Sequence, residues 1–252
     1  MRKLTRQIVF YAGVLAVWQA IALLKLWPPY LFPTPHTVFN SLRQGFADHS
    51  FWIGISVSMK RVLIGYAISC VIGIALGFAI AYSRFLSETL GRLIVSLQSL
   101  PSICWLPVAI LWFGLTEKAI LFVVVVGSLL AITISFESGL RSIPKIYPMA
   151  GRTLGARGWK LVRYVLLPAS LPHLVTGLKQ GWAFAWRSLI SGEMIFVTLG
   201  LGQLLMMGRD LNDISQVFAV MLLIVALGWL IDAVFFRSIE TVLRHRWGFA
   251  TN

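Results

Sequence analysis

The sequence predicts an all-α integral membrane protein with six transmembrane helices, and two observations carry the prediction. Hydrophobic residues fill 58% of the 252 positions and charged residues only 12%, with a mean hydropathy of +0.82. A soluble domain is about a quarter charged, and a soluble core of this size would not hide so much apolar surface. The apolar residues are also gathered into six runs, each close to the ~20 residues a helix needs to cross the hydrocarbon.

The first run, 8–27, follows the basic opening MRKLTRQ, has no small-residue cleavage site, and reads as an uncleaved span. The second, 62–82, is uncharged and carries Ser69, Gly73, Gly77 and Ala81 at four-residue spacing. Such a ridge lets a helix approach closely, from within the chain or from a second copy. The third, 93–115, is uncharged but holds Pro101 and Pro107, which free backbone carbonyls. Breaks of that kind are tolerated against a neighbouring helix or a water-filled path. The fourth run, 119–136, includes FVVVV; the fifth, 177–198, contains Arg187 and Glu193; the sixth, 215–236, contains Asp232.

Six spans put both termini on one side, and basic residues choose the side. With the N-terminus inside, the inner segments hold Arg2, Lys3, Arg6, Arg84, Arg92, Arg141, Lys145, Arg152, Arg157, Lys160, Arg163, Lys179, Arg237, Arg244 and Arg246. The outer segments hold Lys25, Arg43, Lys60, Arg61, Lys118 and Arg209. The imbalance predicts an N-in, C-in chain, and it accounts for the net charge of +13 without nucleic acid. Between the first two spans, PTPHTVFNSLRQGF (33–46) places Val38, Phe39, Leu42 and Phe46 near one helical face, with Pro35 at the start. This is a short amphipathic helix at the outer surface.

The inner segment between Ser142 and Pro172 is basic and is expected to be helical in two pieces. The first covers 148–154. Gly155 then permits a turn that bulkier residues resist. The second covers 157–167 and stops before Pro168 and Pro172. Trp159, Val162, Val165 and Leu166 give it an apolar face, with Lys160 and Arg163 alongside. That face needs lipid, the protein's own helices, or another cytoplasmic subunit.

A charge at the bilayer centre costs at least about 2.5–3.5 kcal/mol, so Arg187, Glu193 and Asp232 should face protein or water. Arg187 and Glu193 are six apart, about 600° around a helix, and do not share a face. Arg187 either meets an anionic solute, to which a guanidinium is suited, or pairs with a carboxylate such as Glu193 of a second subunit. Asp232 either pairs with a basic group near the inner end or lies close to the interface. Trp105, Trp112, Trp182 and Trp186 are path-lining residues or interface anchors.

Other chemistry is excluded by what the chain lacks. Glycine is never followed by lysine, so no Gly-x-x-x-x-Gly-Lys-Ser/Thr phosphate cradle exists. There is no His-Glu-x-x-His, and His36, His49, His173 and His245 are expected in or near loops. Cys70 and Cys104 have neither metal nor disulfide spacing and read as small packing residues. The chain is expected to be no enzyme, with no catalytic, cofactor-binding or metal-binding residue.

The inner segment resembles the cytoplasmic signature loop of permease subunits of bacterial ABC importers, which reads Glu-Ala-Ala, three residues, Gly, nine residues, Ile, one residue, Leu-Pro. Here it runs Met149-Ala150-Gly151, then Gly155, then Val165, Leu167 and Pro168, without a gap. Met149 departs from the family's glutamate. The resemblance extends over about 28–248 through LFPTPHTVFNSL, SLQSLPSICWLPVAILWFGL, RTLGARGWKLVRYVLLPASLP, WAFAWRSLISGEMI and GLGQLL. It is greatest to the nitrate, taurine and sulfonate branch.

The resemblance implies a type I ABC importer permease fold in a bacterial inner membrane. It implies a cytoplasmic N-terminus at 1–7 and one permease domain over 8–252, with a periplasmic amphipathic segment near 33–60 and a cytoplasmic coupling loop at 141–172. Its partners would be a second permease copy, cytoplasmic ABC ATPases that bind ATP and Mg, an extracytoplasmic solute-binding protein, and lipid. Coupling falls to Met149, Ala150, Gly151, Arg152, Leu154, Gly155, Ala156, Arg157 and Pro168. Path candidates are Gln98, Pro101, Ser102, Trp105, Trp186, Arg187 and Glu193. The main rival is an ion-gradient-driven secondary transporter with Glu193 and Asp232 as proton carriers. An intramembrane enzyme lacks a reactive pair, and a channel leaves the basic loop unexplained.

Overall fold

The computed structural model describes residues 2–28, 30–196 and 198–247, with side chains over 5–28, 30–196 and 198–243. The side chains of Arg2, Lys3, Arg244, His245 and Arg246 therefore lie outside the described residues. No strand occurs among the described residues. The helices are α1 (Arg2–Leu23), α2 (Pro35–Ala47), α3 (Ser50–Tyr82), α4 (Arg84–Gln98), α5 (Ser102–Phe113), α6 (Glu117–Arg141), α7 (Ile146–Thr153), α8 (Trp159–Ile195) and α9 (Leu201–Asp210). A tenth, α10, runs from Ile214–Ile231 through a π-turn, Asp232–Phe236, into Arg237–Trp247. Among the described residues five helices are long and apolar enough to cross a membrane, six if the bent pair α4–α5 counts as one span.

Three expected boundaries move. The second span is longer than its uncharged stretch, because α3 starts at Ser50 and takes in Lys60 and Arg61. Arg61 is thus no loop residue: it is buried and paired with Glu117 at 2.7 Å. The third span is broken, with α4 and α5 meeting at 105°. Pro101 lacks an N–H and biases Leu100 away from helical geometry. Ser99 and Leu100 close α4 in tight turns onto Ser96 and Leu97, and Cys104 starts α5 by donating to the Pro101 carbonyl at 2.9 Å.

The fifth span corrects the reading of the prolines. The helix from Trp159 is not stopped at Pro168 or Pro172 but continues to Ile195. A π-turn over Val162–Leu166 precedes Pro168. Its wider winding shifts the preceding carbonyls out of the proline ring's way. His173, expected in or near a loop, lies inside α8, where the Cβ of a residue at Gly139 would come within 2.6 Å of it.

The chain divides into two compact units, residues 1–58 with 193–226 and residues 59–192 with 227–252. In the larger unit α6 is the buried axis, with Ala119, Ile120, Val123, Val124, Ile132 and Phe136 almost fully covered. The small-residue ridge of α3 packs on α6 within the chain. Cβ atoms at Gly73 and Gly77 would lie 3.0 Å from Ile132 and 2.8 Å from the Thr133 carbonyl. Ser69 donates to the Val125 carbonyl at 3.1 Å and receives the Ser128 hydroxyl at 2.7 Å.

The smaller unit holds α2, whose N-cap Thr34 accepts from the Thr37 N–H at 3.3 Å. Its Val38 and the neighbouring Phe51 are buried. Trp18 anchors α1 by donating to the Pro33 carbonyl at 3.0 Å. Most of α1 presents apolar side chains outward, Ile8, Val9, Phe10, Val14 and Val17 among them, as a membrane helix does.

Candidate translocation site

The break in the third span opens a cavity of about 390 Å³ in the larger unit. Gln98, Ser99, Pro101, Ser102 and Trp105 of the break face Arg187 and Ser191 of α8 across it. Gly127 of α6 forms part of the wall. A Cβ there would collide with the Ser188 hydroxyl and lie 3.2 Å from the Ser102 Cβ, so three helices meet only because this residue has no side chain. Arg187 is exposed, and its guanidinium carbon lies 5.3 Å from the Phe184 ring centroid. Stacking of this kind leaves the guanidinium edge free to donate. Among the described residues no carboxylate pairs with Arg187. The cavity thus combines one cation, several hydroxyls, an amide side chain and a dominantly apolar wall.

Glu193 is placed differently. It is 0% exposed and does not line that cavity. Its carboxylate accepts from the Ser58 hydroxyl at 2.7 Å and from the Gly202 N–H at 3.1 Å, while Ser58 accepts from the Leu201 N–H at 2.9 Å. Serine and glutamate together satisfy the first amides of α9, where negative charge also complements the helix dipole. Gly200 makes room for this, since a Cβ there would stand 2.5 Å from the Glu193 carboxyl carbon. Asp232 has a partner too: Lys179 reaches it at 3.0 Å and Glu240 at 3.4 Å.

In the loop after α6, α7 ends in a Schellman motif. Gly155 (φ 84) donates to the Arg152 carbonyl at 3.0 Å and Ala156 to Gly151 at 2.9 Å. Gly151 is buried, and a Cβ there would come within 2.8 Å of Leu161 and Val165. On the opposite side of α7, Ile146 and Met149 are exposed, and Leu154 beyond it is 88% exposed.

Residues 71–246 match the family model described as "Binding-protein-dependent transport system inner membrane component". The chain belongs to this family. The permease is 30% identical over 236 residues to a putative ABC transporter permease protein of Methanocaldococcus jannaschii, covering 92% of this chain and 88% of that one. It is 27% identical to the taurine transport system permease protein of Escherichia coli, over 91% and 86% of the two chains. To a putative aliphatic sulfonates permease of the same organism it is 31% identical, over 87% and 84%. A solved methionine ABC transporter in an inward-facing conformation shares the fold, with a TM-score of 0.66 at 23% identity, covering 77% of this chain and 96% of that one. The protein is therefore a multi-pass membrane component of a transport system with the type I importer permease fold.

Of the permease's path candidates, Gln98, Pro101, Ser102, Trp105 and Arg187 come together on one cavity. Trp186 and Glu193 do not: Trp186 is buried and stacks on Trp182, ring centroids 6.3 Å apart. Sequence reasoning missed Gly127, whose signal was a lone glycine in the β-branched run of α6. It also missed Gly158 (φ 53), which turns the chain into α8. Ser58 gave no signal, as a serine within an apolar helix is unremarkable. Cys104, expected as a packing residue, is exposed.

Proposed function

We propose that this permease carries a small oxyanion of the sulfonate, taurine, nitrate or bicarbonate type along the cavity at the break of the third span. Arg187 is the residue that recognises it. The observation behind this reading is a cation with no carboxylate partner among the described residues, held over an aromatic ring on a cavity large enough for a small solute. A guanidinium donates two parallel hydrogen bonds to such oxyanions. Relatives named for taurine, sulfonate, nitrate and bicarbonate transport agree with that chemistry.

Two copies form the pathway with an N-in, C-in topology, and an extracytoplasmic binding protein delivers the solute. ATP and Mg are bound by a separate cytoplasmic ATPase that docks on the 141–172 loop. Ile146, Met149, Ala150, Leu154 and Ala156 form the docking face. Gly151 and Gly155 hold its shape, and α8 carries the push past Pro168 into the span. An ion-gradient mechanism would require Glu193 and Asp232 to exchange protons, yet both carboxylates are engaged in the contacts above.

Uptake of labelled taurine, sulfonate, nitrate and bicarbonate by cells carrying the whole transporter tests the path. Arg187→Gln should abolish uptake of the preferred anion with membrane insertion intact, and Arg187→Lys should keep part of it. Full uptake by Arg187→Gln removes the recognition role. For the loop, Gly155→Trp should lose the ATPase that co-purifies with the parent in mild detergent. Uptake driven by an ion gradient alone would replace the ATPase reading.

A further inference from the structure

A second cavity of the larger unit, of about 480 Å³, is lined by Tyr82, Arg152, Arg157, Gly158, Leu161 and Val162; on the topology proposed above, which this inference rests on, it lies on the inner side. The Schellman turn and Gly158 fold the loop back, so two arginines five apart in sequence face one space. Both are exposed, and among the described residues neither is ion-paired. Among the described residues no carboxylate lines the cavity. Leu161 and Val162 supply an aliphatic floor, and Tyr82 and Gly158 complete the lining.

The depth of this cavity follows from Tyr82. That residue ends both α3 and the charge-free run 62–82, whose length matches the hydrocarbon, and Arg84 follows it. Trp159 and Tyr164 on the adjoining turns are exposed, at 66% and 68%. Such rings, with a polar tip on an apolar body, belong at the membrane surface. Around α7, Arg152 lies roughly 100° from the buried Gly151 and roughly 60° from Met149, on the flank of the apolar face assigned to the ATPase, and Arg157 lies beyond the end of that helix.

We propose that this cavity binds the headgroup phosphate of an anionic phospholipid of the inner leaflet. Arg152 and Arg157 hold the phosphate, with Tyr82 beside it, and Leu161 and Val162 take the glycerol and first methylenes. Phosphate fits two convergent guanidinium groups, and basic pockets at the cytoplasmic ends of membrane helices favour acidic lipids. A soluble anion would gain nothing from the aliphatic floor.

The test is native mass spectrometry of the full-length permease after delipidation and exposure to equal phosphatidylglycerol and phosphatidylethanolamine. The parent should retain phosphatidylglycerol about tenfold over phosphatidylethanolamine. The pair Arg152→Gln, Arg157→Gln should lose that preference. Arg163→Gln, in the same loop but outside the cavity, should keep it. Equal retention of both lipids by the parent overturns the proposal, and so does an equal loss in Arg163→Gln, which would mean diffuse charge. Displacement of the lipid by millimolar inorganic phosphate would make this a site for free anion. If the double variant keeps its lipid but loses a co-purifying ATPase, the arginines meet acidic protein groups instead. An unchanged thermal transition in both variants keeps the readings free of folding artefacts.

Discussion

Arg187 and Glu193 are opposite charges six residues apart on α8, and the fold treats them in opposite ways. Glu193 is sealed, with the Ser58 hydroxyl and the Gly202 N–H on its carboxylate. Arg187 is exposed on a cavity and stacked on Phe184, with no carboxylate beside it among the described residues. The difference separates two uses of an intramembrane charge. A saturated buried charge holds helices in register, because removing it strands the groups that pointed at it. An unsaturated charge on a cavity is held ready for something that arrives.

The strongest way to break this contrast is Glu193→Ala. It leaves the Ser58 hydroxyl and an α9 amide without their acceptor, and should destabilise the fold by about 3 kcal/mol or more. Thermal unfolding in detergent and the yield of inserted protein read the loss. Wild-type stability with transport alone impaired would put Glu193 in the path and dissolve the contrast. Gly127→Val comes next. Its side chain would meet Ser188 and Ser102, and overpacking of this kind costs about 2 kcal/mol. The same measurement should show that loss together with reduced uptake. Unchanged stability would mean the three helices separate freely and the cavity wall is soft. Arg187→Gln should leave stability within about 1 kcal/mol of the parent while lowering anion uptake at least about tenfold, the worth of a charge-assisted hydrogen bond. A destabilisation equal to that of Glu193→Ala would make Arg187 a structural charge too.

Legibility in the sequence followed the same division. Apolar runs exposed the spans, because the hydrocarbon thickness is fixed and every run must meet it. Gly155 was legible because a left-handed residue at a helix end nearly demands glycine. Pro101 marked the break at which the cavity opens. Pro168 and Pro172 misled, since a π-turn absorbed the first and α8 ran on through the second; neither adjustment has a residue signature. Arg61 was counted as an outer loop residue because nothing local says that α3 begins at Ser50 or that Glu117 waits 56 residues further on. The Glu193 site was invisible for the same reason: Ser58 is 135 residues away in sequence. Local rules read elements and their ends, while partners brought together by tertiary packing leave no local trace.

The mildest test uses a charge that belongs to neither class. Asp48 lies between α2 and α3, exposed, and its Oδ1 accepts from the Ser50 N–H at 2.9 Å at the start of α3. Hydrogen bonds from Ser50, side chain first and then backbone, hold its carboxyl below the usual carboxylate range. A folded-state value below the unfolded one means that its contribution is whole at neutral pH. That contribution fades as acid takes the pH down through the folded value. Because water screens the group, Asp48→Ala should cost only about 0.5–1 kcal/mol at neutral pH, as for a lost helix cap. The parent–variant gap in melting temperature should close below about pH 4. A gap that persists in acid would trace the loss to packing. A gap as large as that of Glu193→Ala would mean that exposure does not grade the worth of a carboxylate in this protein, and the contrast with Arg187 would need another basis than burial.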